Sequence, residues 1–195
     1  MVKGPRKYLC RVFLDPNTAD DTLELSEDNR RVTNVEQLQL FPHHQDRFSS
    51  CSQVLSSTAL SGRCYWEVKW RGEVDIAVSY KGIRRNGDSE ECRFGDNDQS
   101  WSLRVRGDEG YLYHNKREID LGWEISSDRV GLLLDTEAGT LSFYDVDSDG
   151  RLYHLHTFSS SFSEPLFAGL GLERPGSSVL LLNQTDFEQI LPEFL

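Results

Sequence analysis

The stretch "SGRCYWEVKW", Ser61 to Trp70, carries the strongest pattern of this sequence. Apolar residues take every second position between mostly polar neighbours, and they are Cys64, Trp66, Val68 and Trp70. Successive side chains of a β-strand point to opposite faces, so this period of two predicts a strand with one apolar face. Because large apolar side chains stabilise a fold when they are buried, we expect Trp66 and Val68 to point between two sheets. The stretch holds no recognisable catalytic group and is predicted to be scaffold.

The same alternation recurs in many short runs that are separated by turn residues. With "LELSEDNRRVTN" (residues 23–34) included, the sequence predicts about eleven strands, which suit a two-sheet antiparallel β-sandwich. A length of 195 residues fits one integrated domain with a single core. The later runs are "VDIAVSY" (74–80), "SWSLRVR" (100–106), "GYLYHN" (110–115), "REIDL" (117–121), "DRVGLLLD" (128–135), "GTLSFYDV" (139–146), "RLYHLHTF" (151–158), "PLFAGLGL" (165–172) and "SSVLLLN" (177–183).

Two regions lack the strand pattern. Residues 42–62 are rich in serine and show no lasting periodicity, which predicts a long surface connection. Near the C-terminus, "TDFEQILPEF" begins with Thr185 three residues before Glu188, as in a capping box, and this predicts a short helix that Pro192 stops. A helix this short is marginal in isolation, so it would have to dock on the domain.

The charge of the chain restricts its partners. The 21 Lys and Arg residues against 32 Asp and Glu give a formal net charge of −11, which repels phosphate backbones and anionic membrane surfaces. We therefore expect no nucleic acid as a partner and no membrane binding by this domain. No apolar run is long enough to span a bilayer, and "MVKGPRKYLC" lacks the apolar core of a secretory signal.

The cysteines leave two interpretations open. Cys10, Cys51, Cys64 and Cys92 show no C-x-x-C spacing, and Cys64 falls on the apolar side of its strand. Reduced cysteines in a cytoplasmic protein are the simpler interpretation. Four cysteines could instead form two disulfides in a secreted chain.

The motifs with possible chemistry predict no enzyme. "DVDSDG" places Asp145, Asp147 and Asp149 as in the first half of a calcium loop, but His156 stands where a bidentate Glu is required. A turn between two strands explains the same residues. His154 and His156 share a strand face without a third metal ligand, and the known nucleophile, phosphate-loop and zinc-helix motifs do not occur. We expect no catalytic residue, no metal and no cofactor.

The order of six motifs points to a family. They are "LDPNTA" (14–19), "LELSEDNRRV" (23–32), "SGRCYWEVKW" (61–70), "SWSL" (100–103), "DRVGLLLDTEAGTLSFYDV" (128–146) and "PLFAGLGL" (165–172). Together they resemble the PRY-SPRY domain over about residues 8 to 183, in the expected order. The resemblance implies a PRY segment with a connecting loop at 1–60, a SPRY segment at 61–183 and a tail at 184–195. It also implies a β-sandwich that binds proteins or peptides and has no catalytic activity.

The resemblance also implies a binding surface on variable loops at one side of the sandwich. Carried over by position, its expected contacts are Asp75, Leu112, His114 and Leu172. Some family members carry tryptophans where this chain has Leu112 and His114. The remaining expected partner-binding residues flank these positions and are Tyr111, Tyr113, Glu173 and Arg174.

Three functions agree with the sequence to different degrees. The first is the C-terminal target-binding domain of a larger protein, such as a tripartite-motif ubiquitin ligase or a fish-type innate-immune receptor. The second is the C-terminal domain of a pore-forming fish toxin. The third is a hydrolytic or calcium-dependent lectin-like β-sandwich, which the missing motifs oppose. We expect any oligomerisation to come from segments outside this chain.

Overall fold

The computed structural model describes residues 4–190, which form mainly antiparallel β-structure. A 3-10 helix, Gly4–Tyr8, comes first, and there are two short α-helices, α1 (Ser89–Cys92) and α2 (Gln184–Ile190). None of the helices in this part of the chain is long and apolar enough to cross a membrane. The strands are β1 (Leu23–Leu25), β2 (Arg31–Asn34), β3 (Gln53–Leu55), β4 (Arg63–Arg71), β5 (Val74–Tyr80), β6 (Ser100–Arg106), β7 (Glu109–His114), β8 (Arg117–Glu124), β9 (Arg129–Asp135), β10 (Thr140–Val146), β11 (Leu152–Ser159), β12 (Leu166–Gly171) and β13 (Ser178–Leu181).

The strands form two sheets around one main core. The seven-stranded sheet has the order β1-β2-β13-β4-β9-β10-β11, and the six-stranded sheet has the order β3-β12-β5-β6-β7-β8. Buried apolar side chains from both sheets form the core between them. The predicted two-sheet antiparallel sandwich is confirmed. Short β3, which pairs with β12, lies inside a region that was predicted to lack strands.

Strand β4 is buried on both faces. Trp66 is 2% exposed and Val68 is 0% exposed, and both belong to the main core, so their predicted inward orientation is confirmed. Tyr65 and Glu67 on the opposite face are also 0% exposed. The alternation of the sequence does not predict this second buried face, because what covers it comes from a distant part of the chain.

The cover of β4 begins with residues 4–12, which we call the N-terminal strap. The strap runs beside the first half of β4, because β13 pairs only with its second half. The Cys10 backbone N–H donates to the Tyr65 carbonyl at 3.0 Å, and a disulfide joins Cys10 to Cys64. The expectation of reduced cysteines is therefore wrong for this pair, which the fold brings together across a sequence separation of 54. Cys51 and Cys92 are free and buried.

Beneath the strap lies a buried carboxylate. Glu67 Oε1 accepts from Arg6 Nη2 at 2.8 Å and from the Tyr65 hydroxyl at 2.8 Å. Glu67 Oε2 has no hydrogen-bond partner among the described residues. Burial raises the pKa of Glu67, and the Arg6 charge opposes this effect. Gly131 makes the arrangement possible, since a Cβ atom there would clash with the Tyr65 hydroxyl group.

The predicted C-terminal helix is confirmed as α2, but its cap differs from the expected one. The Asp186 N–H donates to Asn183 Oδ1 at 2.9 Å, and the Asn183 N–H donates to Asp186 Oδ2 at 2.7 Å. This reciprocal pair is the capping box, and Thr185 lies inside the helix. Phe187 docks the helix on the domain, and it is 1% exposed. Pro192, the predicted stop, lies outside the described residues.

Residues 42–62 are not only the surface connection that their composition predicts. Phe48 is 0% exposed and packs edge-to-face on Phe94, with ring centroids 5.7 Å apart. These two rings form a second apolar cluster with Leu55, Ala77 and Ile83. Since Leu55 and Ala77 belong to β3 and β5, the cluster lies against the six-stranded sheet, on the face that points away from the main core.

We expect Glu67→Gln to leave the free energy of unfolding at pH 7 within about 1 kcal/mol of the parent or to raise it, because a neutral side chain avoids burying a charge. Arg6→Ala should lower it by about 1 to 3 kcal/mol, because Glu67 then loses its cation.

The raised pKa of Glu67 also predicts how the free energy of unfolding changes with pH. The folded-state pKa of Glu67 is raised above the ordinary value of 4.5. The stability that Glu67 contributes is therefore fully present below pH 4.5, and it is lost as the pH rises through the folded-state pKa. Urea unfolding from pH 4.5 upward should show Glu67→Gln gaining on the parent. A variant that is severely destabilised at every pH would contradict this account.

Candidate functional site

One end of the six-stranded sheet carries a cavity of about 320 Å³, which we call the Asp75 pocket. It lies where β5 begins, β6 ends and β12 ends, so three strands and the turns beside them contribute to it. Three carboxylates and three arginines line it. The lining residues are Glu73, Val74, Asp75, Arg93, Val105, Arg106, Gly171, Glu173 and Arg174.

Asp75 is the most buried charge of the pocket. It is 4% exposed, and its two carboxylate oxygens face Arg93 Nε at 3.3 Å and Arg104 Nε at 3.5 Å. Burial raises the pKa of Asp75, while the two guanidinium groups oppose the shift. Gly171 lies opposite Asp75 across the β5–β12 pair, and a Cβ atom there would lie 3.1 Å from Asp75 Oδ2. Glycine therefore leaves room for the carboxylate and its two arginines.

Arg93 comes from the segment between β5 and β6, and a glutamine fixes its position. Gln53 Nε2 donates to the Cys92 carbonyl at 2.8 Å, and Gln53 Oε1 accepts from the Phe94 N–H at 2.9 Å. Phe94 is fully buried and sits over Gly169, where a Cβ atom would meet its ring at 2.7 Å. Polar and apolar contacts on both sides of Arg93 thus hold it against the sheet.

Arg104 joins the pocket to the neighbouring strands. Its Nη2 atom donates to the Phe94 carbonyl at 2.9 Å and to Asp96 Oδ1 at 2.7 Å. Its guanidinium carbon lies 3.9 Å from the centroid of the Tyr113 ring, which is a close cation–π contact. Arg104 also lies between Asp75 and Tyr111 in the strand register. Asp75, Tyr111 and Tyr113 therefore belong to one connected surface.

The pocket rim is formed by exposed charges. Arg174 Nε lies 2.9 Å from Glu73 Oε2, and their side chains are 72% and 39% exposed. The Glu173 carboxylate accepts from the Ser52 backbone N–H and is attracted by Arg93, although burial still raises its pKa. Exposed ion pairs of this type contribute little stability, so Glu73 and Arg174 are available for exchange with a partner.

Two of the expected contact residues are corrected by the structure. Leu112 and Leu172 are both 0% exposed and belong to the main core. Leu112 lies on β7 between Leu103 and Ile119, with its side chain directed inward. Neither leucine presents a side chain to a partner. On β7 the period of two leaves Tyr111 and Tyr113 half-buried on the outer face and places Leu112 in the core.

His114 lies at the opposite end of β7 from the Asp75 pocket. Its ring stacks on Trp101 with centroids 4.5 Å apart and planes at 5°, and its Nδ1 atom donates to the Ser100 carbonyl at 2.8 Å. The structure therefore brings together Asp75, Glu173, Arg174, Tyr111 and Tyr113, and it separates His114 from them.

Three arginines of this surface, Arg93, Arg104 and Arg106, were not among the residues expected from the sequence. Arg104 and Arg106 alternate on β6 in "SWSLRVR", where a charged residue within a strand marks its outer face. That signal could have been used. Arg93 follows the short helix α1 and has no periodic signal, so only the folded chain places it beside Asp75.

The turn between β10 and β11 accounts for the aspartates that resemble a calcium loop. Asp145 accepts from the Ser126 and Ser127 hydroxyls, and Asp147 accepts from the backbone N–H groups of Asp149 and Arg151. The turn joins two antiparallel strands, as predicted. Within residues 4–190, no group of three or more His, Cys, Asp or Glu side chains could hold a metal ion.

Comparison with known proteins assigns the fold to a family. The family model of the SPRY-associated domain, PRY, matches residues 12–60, and that of the SPRY domain matches residues 63–185. This chain belongs to the PRY-SPRY family. The crystal structure of the TRIM65 PSpry domain superposes with a TM-score of 0.82 at 26% identity, over 92% of this chain and 93% of that one. The predicted resemblance is confirmed.

The curated relatives of this PRY-SPRY domain include fish toxins and tripartite motif-containing proteins. Stonustoxin subunit alpha of Synanceia horrida is 36% identical over 177 residues, which cover 87% of this chain and 24% of the toxin subunit. Tripartite motif-containing protein 14 of Mus musculus is 36% identical over 175 residues, which cover 85% of this chain and 38% of that protein. The chain thus spans less than half the length of either relative.

We expect Leu112→Ala to destabilise the PRY-SPRY domain by about 2 to 5 kcal/mol, because it empties part of a closed core. The matched control is Leu38→Ala, since Leu38 is 53% exposed and should change the free energy of unfolding by less than about 0.5 kcal/mol. Urea unfolding of both variants provides the measurement. Equal stability of the two would mean that Leu112 is a surface residue after all.

Proposed function

We propose that this chain is a non-catalytic module that binds a protein or peptide at the Asp75 pocket and the tyrosines beside it. The observation that carries the proposal is the pocket itself, in which a rigid sheet end holds a buried Asp75 and several arginines beside an exposed rim. Its contact residues are Glu173, Arg174, Tyr111 and Tyr113, with Asp75 in a supporting position. Aromatic and arginine side chains are the residue types that most often dominate binding energy.

The chemistry of the pocket favours recognition over catalysis. Each of its acidic groups already accepts from an arginine or a backbone N–H, and no hydroxyl or thiol lines the cavity. A nucleophile with an adjacent base, which covalent catalysis requires, is not among the lining residues. Loops on a rigid β-scaffold are suited to binding, since they can vary without disturbing the core.

The host that we propose is a longer protein in which this chain is the C-terminal target-binding domain. The similarity to tripartite motif-containing protein 14 supports a ubiquitin-ligase-type or innate-immune host, in the cytoplasm. The small share of each relative that the chain covers supports the presence of further domains elsewhere in the host. Oligomerisation would then come from those domains.

A second candidate is the C-terminal domain of a pore-forming toxin. The specific observation in its favour is the Cys10–Cys64 disulfide, because disulfides persist mainly in oxidising compartments and are rare in the cytosol. The similarity to stonustoxin subunit alpha agrees with such a setting. In this case the same surface would bind another toxin segment or a target protein.

The first proposal is tested with a partner isolated on the immobilised domain. We expect Tyr111→Ala and Arg174→Ala each to weaken that partner by about 5- to 30-fold, the usual range for central interface residues. The matched controls are Tyr153→Ala and Arg151→Ala at the β10–β11 hairpin, in the other sheet, which should leave affinity unchanged. Loss of affinity in the controls alone would mean that the partner binds the seven-stranded sheet and that the proposed surface is wrong.

The toxin candidate is supported by the Cys10–Cys64 disulfide, and the contribution of this bond to stability can be measured. Reduction of Cys10–Cys64 should lower the free energy of unfolding by about 2 to 4 kcal/mol, given the long loop that the bond closes. A Cys64→Ser variant should reproduce the loss and become insensitive to reductant. If the parent is equally stable with and without reductant, the disulfide gives the toxin candidate no support.

A further inference from the structure

We propose that the Asp75 pocket anchors a single carboxylate of the partner, supplied by an Asp or Glu side chain or by the C-terminus of a peptide. This inference rests on the proposed function, since it names the chemistry of the ligand for the same site.

The carboxylates of the pocket are all occupied by this chain. Asp75 is paired with Arg93 and Arg104, and Glu73 is paired with Arg174 at 2.9 Å. Glu173 accepts from a backbone N–H and is attracted by Arg93. A basic ligand would have to displace an existing cation or donor from each of them, and only the exposed Glu73–Arg174 pair would separate at little cost.

The guanidinium groups, in contrast, retain unused donors. The Arg106 side chain lines the pocket and makes no hydrogen bond or ion pair with the described residues. Arg93 contacts Asp75 through Nε, its two Nη atoms have no hydrogen-bond partner in residues 4–190, and its side chain is 24% exposed. An arginine carries five N–H donors and no acceptor, so the group that completes this pocket is an acceptor with negative charge.

The surroundings favour one negative charge over two. Three carboxylates line the same cavity, and they would repel a doubly charged phosphate more strongly than a singly charged carboxylate. The net charge of −11 gives no long-range attraction for an acidic partner, so the selectivity must arise within the pocket.

The experiment uses the full 195-residue chain and a random peptide library displayed on phage. We expect the selected peptides to share an Asp or Glu at one fixed position, or a free C-terminal carboxylate. The consensus peptide is then synthesised with Asp, Asn or phosphoserine at that position, and with a free or an amidated C-terminus. These versions separate a side-chain carboxylate from a terminal one and from a phosphate.

Variants of Arg106 complete the test, because this exposed residue is remote from the core and its replacement should leave melting unchanged. We expect Arg106→Gln to weaken the carboxylate peptide about tenfold and to leave the Asn version of the peptide unaffected. Arg106→Lys should recover part of the loss, since it keeps the charge but not the forked donors. Arg151→Gln is the matched control and should bind like the parent.

The possible outcomes are distinct. If peptides bind and compete with the partner but Asn replaces the acidic residue without loss, the carboxylate inference is wrong and the proposed function stands. A preference for phosphoserine over Asp would overturn the choice of a single charge. If no peptide is selected and Arg106→Gln also leaves the isolated protein partner unaffected, both the inference and the proposed binding surface fail.

Discussion

Burial of β4 on both faces is the constraint on which the rest of the fold depends. Trp66 and Val68 fill the space between the sheets, while Tyr65 and Glu67 lie under the N-terminal strap on the other face. Neither face of a strand buried in this way is in contact with solvent. The Cys10–Cys64 disulfide and the Arg6–Glu67 ion pair hold the strap on β4. The strap is therefore part of the domain, although β4 lies more than fifty residues later in the sequence.

Loops cover part of the outer face of the six-stranded sheet, as the N-terminal strap covers the outer face of β4. The cluster of Phe48 and Phe94 covers its outer face over Ala77, and small residues such as Gly169 allow the rings to approach the backbone. Where this cover ends, charged side chains replace apolar ones, and the Asp75 pocket opens. The pocket is thus the boundary between the covered and the uncovered part of one sheet face, and the packing of Phe94 determines where Arg93 can reach.

Electrostatics within the pocket connects the scaffold to the proposed activity. Asp75 is held by two arginines at the sheet surface, and Arg104 extends this network to Asp96 and Tyr113. A buried carboxylate with two cations orients both of them, so their remaining N–H groups point in fixed directions. Pre-organised donors of this kind bind a ligand with a smaller entropic loss than flexible surface arginines would.

The sequence by itself determined the class of fold and the role of its central strand. A period of two requires only local geometry, so "SGRCYWEVKW" predicted the inward Trp66 and Val68, and the ordered motifs predicted the family. The same period of two places the tyrosines of β7 on the face opposite Leu112. The family resemblance could not predict that Leu112 and Leu172 are buried, because burial depends on packing against the other sheet.

Only the tertiary structure decided which distant residues meet. The Cys10–Cys64 bond, the Arg6–Glu67 pair and the approach of Arg93 to Asp75 each join segments that no local pattern relates. Local periodicity reports which face of a strand is apolar, but pairing across the sheets depends on strand order and on the loops that cover the outer faces. For this reason the scaffold follows from the sequence, while the chemistry of the pocket follows from the fold.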